Sequence, residues 1–241
     1  MSERGPEKIS SILPPKRSTC RECGEPIEGG WMCDACIKAF NERLHGPVSE
    51  RLQRAGVPRR YLGATLDEAT EPRPEFAEII HRLAEWTGDP WCISLVGPAG
   101  TGKTWLAAAV MRRWIGQLRG ARFVSALDWM ARCQASIQIG EAETEYASVA
   151  RTGGLLVLDD LAAQAVPEWQ QSLAVRLVDR RWRDQLPTMI TTNDTGAELR
   201  ARYGQRLMDR LASGLVIRLR GPSRRVEAGE VIDVAANEEV P

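Results

Sequence analysis

Residues 97–104 combine glycines, a lysine and a threonine at the spacing that nucleotide phosphates require. They read GPAGTGKT and complete the pattern G-x-x-x-x-G-K-[S/T], which we call the phosphate loop. Glycine accepts the positive φ angles that turn successive backbone N–H groups toward phosphate oxygens. Lys103 is expected to reach the outer phosphates, and the Thr104 hydroxyl to bind Mg²⁺. The predicted nucleotide-binding residues of the loop are Gly97, Pro98, Ala99, Gly100, Thr101, Gly102, Lys103 and Thr104.

Two carboxylates follow a short apolar run further along the chain. Residues 155–158 are all apolar, and Asp159 and Asp160 come directly after them. A buried strand of this kind presents acids at its C-terminal end, where open α/β sheets bind ligands. We expect Asp159 to hold Mg²⁺ through water and Asp160 to orient or deprotonate the attacking water. Two acids after an apolar run also begin ordinary loops, so this prediction depends on the phosphate loop upstream.

A polar residue ends a later predicted strand, at residues 188–193. The Asn193 amide is a candidate hydrogen-bond donor to the γ-phosphate or to the attacking water. Asparagine is also a common turn residue at strand ends, so its role depends on the neighbouring motifs.

Four of the six cysteines form two C-x-x-C pairs within 17 residues: Cys20, Cys23, Cys33 and Cys36. Two such pairs favour a structural, tetrahedral Zn²⁺ site with all four positions filled by thiolates. A module this short buries little apolar surface, so the metal is expected to supply folding energy. A dithiol redox switch is the alternative, although it does not need two pairs. Cys92 and Cys133 lie in apolar patterns and are expected in the core.

The elements that must position these residues alternate between strands and helices. Strands are predicted at 91–96, 122–127, 155–158, 188–193 and 215–219. After the phosphate loop, Leu106, Val110, Trp114 and Leu118 recur every four residues and predict one apolar helix face. Further helices are predicted to start at Pro74, at Asp128 as cap, and at Pro167, the last ending at Pro187, and another covers 204–211. The pattern predicts an α/β fold with a parallel sheet.

Composition suggests an ordinary globular protein with a small appendage. The 241 residues are 43% hydrophobic and 27% charged, with a net charge of zero. The predicted divisions are a flexible leader (1–19), a zinc-binding module (20–45), a connector (46–73), a nucleotide-binding domain (74–225) and an acidic tail (226–241). No apolar run is long enough to cross a membrane, and no signal peptide is recognisable, so a cytoplasmic location without membrane contact is expected. Residues 198–225 contain eight arginines and two acids. This basic stretch is expected either to face phosphates of a nucleotide or a nucleic acid, or to form a solvated helix face.

In this order the motifs resemble those of AAA+ ATPases of the DnaC/DnaI helicase-loader group and the related IstB-type transposition helpers. The resemblance covers residues 56–225 and includes the phosphate loop, Asp159-Asp160, the segment 187–193, and the sequence RLMDRL at 206–211. It implies a P-loop fold with a five-stranded parallel sheet flanked by helices. It also implies an ATP site completed by a neighbouring subunit, and an N-terminal domain that grips a partner.

The resemblance also assigns roles to arginines by position. Arg210 corresponds to an arginine finger that acts in trans, with Arg206 beside it, so self-association through the ATP site is expected. Arg225, near Ser223, is a candidate second sensor. Many AAA+ proteins have Glu where this chain has Asp160, and the shorter side chain predicts slow, switch-like hydrolysis. In the related loaders the region corresponding to 129–139 helps contact single-stranded DNA, but here it carries one basic residue, Arg132.

The leading hypothesis is an ATPase that loads a hexameric replicative helicase onto single-stranded DNA, with ATP, Mg²⁺ and Zn²⁺ bound and the zinc module docked on the helicase. One alternative keeps the ATPase and changes the partner to a transposase, with binding of double-stranded DNA. The other is a zinc-dependent adaptor whose nucleotide pocket only stabilises the fold.

Overall fold

The computed structural model describes residues 18–28, 30, 32–67, 74–137, 140–161 and 167–224. The predicted acidic tail, Arg225 and most of the predicted leader lie outside these ranges. The chain divides into two compact units, with the boundary between Arg51 and Leu52. No helix within the described ranges is both long and apolar enough to cross a membrane.

The first unit is built around its cysteines. Strands β1 (Ser18–Thr19) and β2 (Pro26–Ile27) pair antiparallel, and helix α1 (Asp34–His45) follows. The turn between the strands is closed by Cys20, whose N–H donates to Glu25 O at 2.7 Å. No residue of α1 is buried. Among the described residues of this unit, the only buried apolar side chain is Cys20, so little of its stability comes from apolar packing.

Helix α2 (Val48–Arg54) and a 3₁₀ turn at Arg59–Tyr61 occupy the segment predicted as a connector. In the second unit, Phe123 N–H donates to Ala55 O at 2.7 Å, so the chain just after α2 covers part of the sheet edge. Arg112 reaches back to the carbonyls of Leu62 and Ala64. Residues 55–64 are therefore packed within the second unit, against the strand that contains Phe123 and the helix that contains Arg112.

The second unit contains a five-stranded parallel sheet. Its strands are β3 (Cys92–Val96), β4 (Ala121–Ser125), β5 (Leu155–Asp159), β6 (Thr188–Thr192) and β7 (Leu215–Arg218). Their order is β4-β5-β6-β3-β7, and the register pairs Cys92 with Thr188 and Ile93 with Leu215. The prediction of a parallel five-stranded α/β sheet is confirmed.

Helices cover both faces of this sheet. Its helices are α3 (Pro74–Glu85), α4 (Lys103–Gly116), α5 (Ala126–Ile137), α6 (Ala142–Ala150), α7 (Glu168–Arg183) and α8 (Gly196–Ala212). Leu156 and Leu158 of β5 join a core cluster with residues of α5 to α8. Because side chains alternate along a strand, Val157 faces the other side, where α4 packs against β4, β5 and β6. The central strands are buried on both faces, which explains the near-continuous apolar runs from which the strands are predicted.

Several predicted boundaries are wrong. Strand β4 ends at Ser125 and α5 begins at Ala126, so the predicted strand over 122–127 is too long. Asp128 is not the helix cap: its N–H donates to Ser125 Oγ at 3.3 Å, which makes Ser125 the capping residue. Helix α4 ends at Gly116, and Leu118 lies beyond it, exposed and with a φ of 60°. The spacing of apolar residues alone therefore predicts elements that extend beyond the observed ends of β4 and α4.

The helices on either side of β6 also differ from the prediction. Helix α7 ends at Arg183, before Pro187, because the chain turns back at Gln185 with a φ of 50°. Helix α8 begins at Gly196 after a capping box formed by Thr195 and Glu198, and it is kinked at Gly204. The predicted helix over 204–211 is only its second half.

Candidate active site and metal centre

The phosphate loop connects the end of β3 to the start of α4, as the sequence predicts. Gly100 and Gly102 have φ angles of 82° and 94°, in the left-handed region that glycine adopts without strain. The Lys103 ammonium group donates to Gly97 O and Pro98 O, each at 2.7 Å. Helix α4 begins at Lys103, so its N-terminal end, the positive end of the helix dipole, lies directly at the loop. This strand, loop and helix fit the phosphates of a nucleotide.

A C-terminal segment lies against the same loop. A Cβ added at Gly97 would overlap Leu219 O, and one added at Gly100 would overlap Ser223 Oγ. Arg224 N–H donates to Gly100 O at 2.8 Å, and its guanidinium carbon lies 4.6 Å from the centre of the Phe76 ring. The candidate second sensor, Arg225, is the next residue and lies outside the described ranges. Arg224 is not among the predicted site residues.

The two predicted Mg²⁺ ligands are in direct contact. Thr104 Oγ1 donates to Asp159 Oδ1 at 3.0 Å. Thr191 Oγ1 donates to the same Asp159 oxygen at 2.6 Å. Burial raises the pKa of Asp159, against the opposing effect of these two hydroxyl donors. A hydroxyl and a carboxylate at the end of the phosphate loop form a hard oxygen donor set, which fits Mg²⁺.

The second acid is held by the neighbouring strand. Asp160 has a φ of 58°, and its N–H donates to Thr191 Oγ1 at 2.8 Å. Asn193 Nδ2 donates to Asp160 Oδ1 at 3.2 Å. The predicted pair of Asp160 and Asn193 is thus brought together, and Thr191 links both acids to β6. Thr191 is not among the predicted site residues, and its only signal in the sequence is its place two residues before Asn193.

The two arginines predicted to act in trans lie on α8 and bond to α7. Arg210 Nε donates to Asp179 Oδ1 at 3.2 Å, and Arg206 pairs with Oδ2 of the same carboxylate. The Arg210 guanidinium carbon lies 3.6 Å from the centre of the Trp182 ring. Within the described part of the chain, neither arginine hydrogen-bonds to the phosphate loop or to Asp160 of its own copy.

The four cysteines of the first unit form one cluster. The sulfur atoms of Cys20, Cys23, Cys33 and Cys36 all lie within 4.8 Å of one another, and none is in a disulfide. Sulfurs bound to one tetrahedral Zn²⁺ at about 2.3 Å are separated by about 3.8 Å, so the donor set and spacing fit zinc.

Protonation in this cluster is strongly linked between neighbours. Backbone N–H groups, first that of Cys23 and then that of Cys33, lower the pKa of Cys20 to about 6. The neighbouring thiols, Cys33 first, raise the pKa of Cys36. Several negative sulfurs this close repel one another, and a divalent cation removes that repulsion. Cys92 and Cys133 are buried in the core of the second unit, as predicted.

A family model described as IstB-like ATP binding protein matches residues 76–230, more than half of the chain. The chain belongs to this family. This IstB-like chain is also similar to the replicative helicase loader DnaC of Escherichia coli K12, at 27% identity over 218 residues, which cover 86% of this chain and 88% of that protein.

Solved structures of replication proteins share its fold. Crystal structures of the DnaC helicase loader and of DnaI each give a TM-score of 0.60 at 22% identity over 68% of this chain, and cover 100% and 95% of those chains. The replication initiator DnaA, bound to AMPPCP and single-stranded DNA, gives 0.58 at 18% identity over 69% of this chain and 52% of that chain. The predicted AAA+-type P-loop fold is thereby confirmed for this IstB-like member.

A cavity in the same IstB-like domain lies elsewhere, along the edge strand β4. Its volume is about 730 Å³, and its lining includes Arg54, Arg122, Arg132 and Asp128. Arg122 donates to Ser148 O at 2.8 Å and Arg132 pairs with Glu145 at 2.8 Å. None of the predicted site residues lines this cavity. It is therefore separate from the nucleotide site.

Proposed function

We propose that this protein is an ATP-hydrolysing loader that places a hexameric replicative DNA helicase on single-stranded DNA. The observation that carries the proposal is the similarity to the helicase loader DnaC over 86% of this chain. That share is longer than the nucleotide-binding unit, which begins at Leu52. The similarity therefore includes part of the unit that contains the cysteines.

In the proposed hydrolysis, the backbone N–H groups of the phosphate loop and Lys103 hold the phosphates of ATP. Thr104 and Asp159 hold Mg²⁺, which neutralises phosphate charge when it is bound. Asp160 orients or deprotonates the attacking water, and Asn193 fixes the Asp160 carboxylate. Because the aspartate is one methylene shorter than glutamate, turnover is slow and suits a switch.

A second copy of the chain completes the site in this proposal. Arg210 of the neighbouring copy neutralises charge that develops on the γ-phosphate, with Arg206 beside it. Fingers of this kind contribute about 10³ to 10⁵ in rate in P-loop enzymes. The contact of both arginines with Asp179, and not with their own phosphate loop, supports a role outside their own site.

The first unit binds zinc through its four cysteines and docks on the helicase. Three apolar side chains at i, i+3 and i+7 of α1 are exposed: Ile37 by 43%, Phe40 by 47% and Leu44 by 64%. Such a row on an otherwise polar helix is the usual form of a helix-in-groove contact. We therefore assign this face to the helicase.

The stretch at 129–139 offers little to DNA. Its single basic residue, Arg132, pairs with Glu145, while Trp129, Met130 and Cys133 are buried. Single-stranded DNA is therefore expected to contact other residues, and phosphate contacts predict affinity that falls steeply with salt.

The direct test combines the purified protein with the hexameric replicative helicase of its host and with single-stranded DNA. We expect a stable complex with the helicase and ATP hydrolysis that changes when single-stranded DNA is added. Absence of both effects would contradict the loader. Preferential binding and bending of double-stranded DNA would instead favour the transposase helper. Unchanged function in Lys103→Ala together with loss in Cys23→Ser would favour the adaptor.

A mixing experiment tests the shared site. Arg210→Ala should bind ATP but turn over about 10³-fold more slowly, and Lys103→Ala should not hydrolyse ATP at all. When the two are mixed, the Lys103→Ala copies supply Arg210 to the intact loops of the Arg210→Ala copies, so part of the activity should return. Arg200→Ala, an exposed arginine on the same helix, is the matched control and should behave as the wild type. No return of activity at any mixing ratio would exclude a finger in trans.

A further inference from the structure

The contacts of Arg210 differ from those of an ordinary surface ion pair. Its Nε, rather than its terminal nitrogens, donates to Asp179, at 3.2 Å from Oδ1. The guanidinium carbon lies over the Trp182 ring, at 3.6 Å from the ring centre. Asp179 and Trp182 are three residues apart and thus on the same face of α7. Two sides of the guanidinium are therefore held by one helix.

The remaining side of the guanidinium faces away from these anchors. The Arg210 side chain is 28% exposed, and its two terminal Nη atoms make no hydrogen bond to any residue in the described ranges. A guanidinium fixed at Nε and at its face keeps its two Nη groups in a defined direction. Those two groups are the pair that binds phosphate oxygens in a forked geometry.

The cluster of Arg206, Arg210 and Asp179 has two positive charges and one negative charge, so Asp179 has more than one counter-ion. Asp179 is a buried carboxylate with 9% of its side chain exposed, and two guanidinium groups surround it. Arg206 pairs with its Oδ2 atom, while its own side chain is 64% exposed. When the Nη groups of Arg210 bind an anion of another molecule, the charge of Arg210 is shared between that anion and Asp179, and Arg206 still neutralises Asp179. No buried carboxylate is left unpaired, so engagement of Arg210 does not carry that penalty.

We propose that Asp179 and Trp182 are positioning residues that hold Arg210 ready for the γ-phosphate bound to a second copy of this chain, with Arg206 as the permanent counter-ion of Asp179. This inference rests on the proposed shared ATP site and adds to it the device that orients the finger. It predicts that Asp179 and Trp182 act on the neighbouring copy's turnover, not on turnover at the loop of their own copy.

The test places each substitution in one kind of subunit of the mixed assembly. Lys103→Ala copies supply the finger, and Arg210→Ala copies supply the working site. Asp179→Asn or Trp182→Leu is introduced either into the first kind of copy or into the second. In the finger-supplying copy each should lower the restored kcat by about ten- to hundredfold, because misplacement of a charge-stabilising group by about 1 Å has effects of this size. In the Arg210→Ala copy, which supplies the working site, each substitution should lower the restored kcat far less.

A structural role would not depend on which copy carries the substitution. An equal loss in both placements, for both substitutions, overturns the inference while the shared site stands. If the unsubstituted mixture shows no restored activity, the shared site and this inference fall together. Two substitutions are used because Asp179 is buried, so a loss of activity in Asp179→Asn alone could come from misfolding. Asp184→Asn, which breaks the neighbouring pair with Arg180 at the end of α7, is the matched control and should give the same restored rate in either placement.

Discussion

The Asp159 carboxylate is buried where the nucleotide site needs a charge. Burial raises its pKa above the usual value of 3.8, so the folded protein holds the proton of this group more tightly than the unfolded chain does. The contribution of Asp159 to stability is therefore highest at low pH and is lost as the pH rises through the raised pKa. At neutral pH the carboxylate lowers the stability of the nucleotide-free fold.

Asp159→Asn should accordingly raise the melting temperature of the nucleotide-free protein and abolish Mg²⁺-dependent hydrolysis. The amide keeps hydrogen-bonding capacity toward Thr104 and Thr191 without the buried charge. Differential scanning calorimetry at pH 7 checks the first effect, and a phosphate-release assay the second. Asp128→Asn, at an exposed position, should change the free energy of unfolding by less than about 0.5 kcal/mol. A lower melting temperature for Asp159→Asn would show that the charge stabilises the fold.

Thr191 links the two acids through one hydroxyl, which donates to Asp159 and accepts from the Asp160 N–H. Thr191→Val keeps the shape and removes both bonds, so Asp160 loses its fixed position. We expect kcat for ATP to fall by about tenfold or more while nucleotide affinity changes little. Thr188→Val, at the other end of the same strand, should lower stability and leave kcat unchanged. Equal kcat in the two variants would contradict this role for Thr191.

The sequence predicts the residues that are proposed to carry the chemistry better than the residues that position them. Short sequence patterns, in which the expected function dictates the residue type, include Lys103, Thr104, Asp159 and Asn193. Thr191 was missed because its role depends on the register between β5 and β6, and threonine inside a strand has no distinctive signal. Asp179 and Trp182 were missed for the same reason, since their significance appears only where α7 meets α8.

At the scale of elements, Arg181 joins three parts of the second unit. It is fully buried on α7, and burial lowers its pKa to about 10. Its guanidinium donates to Thr152 O at 2.8 Å after α6, to Gly154 O at 2.9 Å before β5, and to Thr188 Oγ1 at 2.7 Å on β6. These bonds satisfy acceptors at the N-terminal ends of two central strands, far from the phosphate loop.

Arg181→Leu should destabilise the protein strongly, because it leaves the partly buried carbonyl groups of Thr152 and Gly154 without their donor, at about 1 to 3 kcal/mol each. Relief from burying a charge offsets part of this, so we expect a net loss of at least about 2 kcal/mol in urea unfolding. Arg180→Leu, which breaks only the partly exposed pair with Asp184, should shift the urea midpoint far less. Similar urea midpoints for the two variants would contradict this structural role for Arg181.

Element types were predictable and their ends were not. The apolar runs of β3, β5 and β6 have a clear cause in burial on both faces, and the sheet was predicted from them. The junction of β4 and α5 was placed wrongly because Ser125 ends the strand and caps the helix at once, which the apolar period cannot show. The first half of α8 was missed because its start depends on the side-chain bonds between Thr195 and Glu198.

At the scale of the whole molecule, the two units differ in what holds them together. The described part of the first unit has a cysteine cluster and almost no apolar core, whereas the second has a large buried core. Removal of zinc with a chelator should therefore unfold the first unit and leave the second intact. Hydrogen exchange on the full chain should show rapid exchange at 18–45 and unchanged protection in β3, β5 and β6. Persistent protection in the first unit after zinc removal would contradict a metal-dependent fold.

Because of this difference, one experiment can distinguish binding of the partner from binding of the nucleotide. Because the cysteine cluster lies in the first unit and the phosphate loop in the second, the chelator-treated protein should still bind ATP while losing the hexameric helicase in a co-sedimentation assay. Phe40→Ser should have the same selective effect with zinc retained, since Phe40 is exposed on α1, a helix without buried residues. Lys38→Ser, exposed on the same helix, is the control and should bind the helicase normally. If Phe40→Ser binds the helicase as tightly as Lys38→Ser does, the apolar face of α1 is not the docking surface, and the partner is held by the nucleotide-binding unit instead.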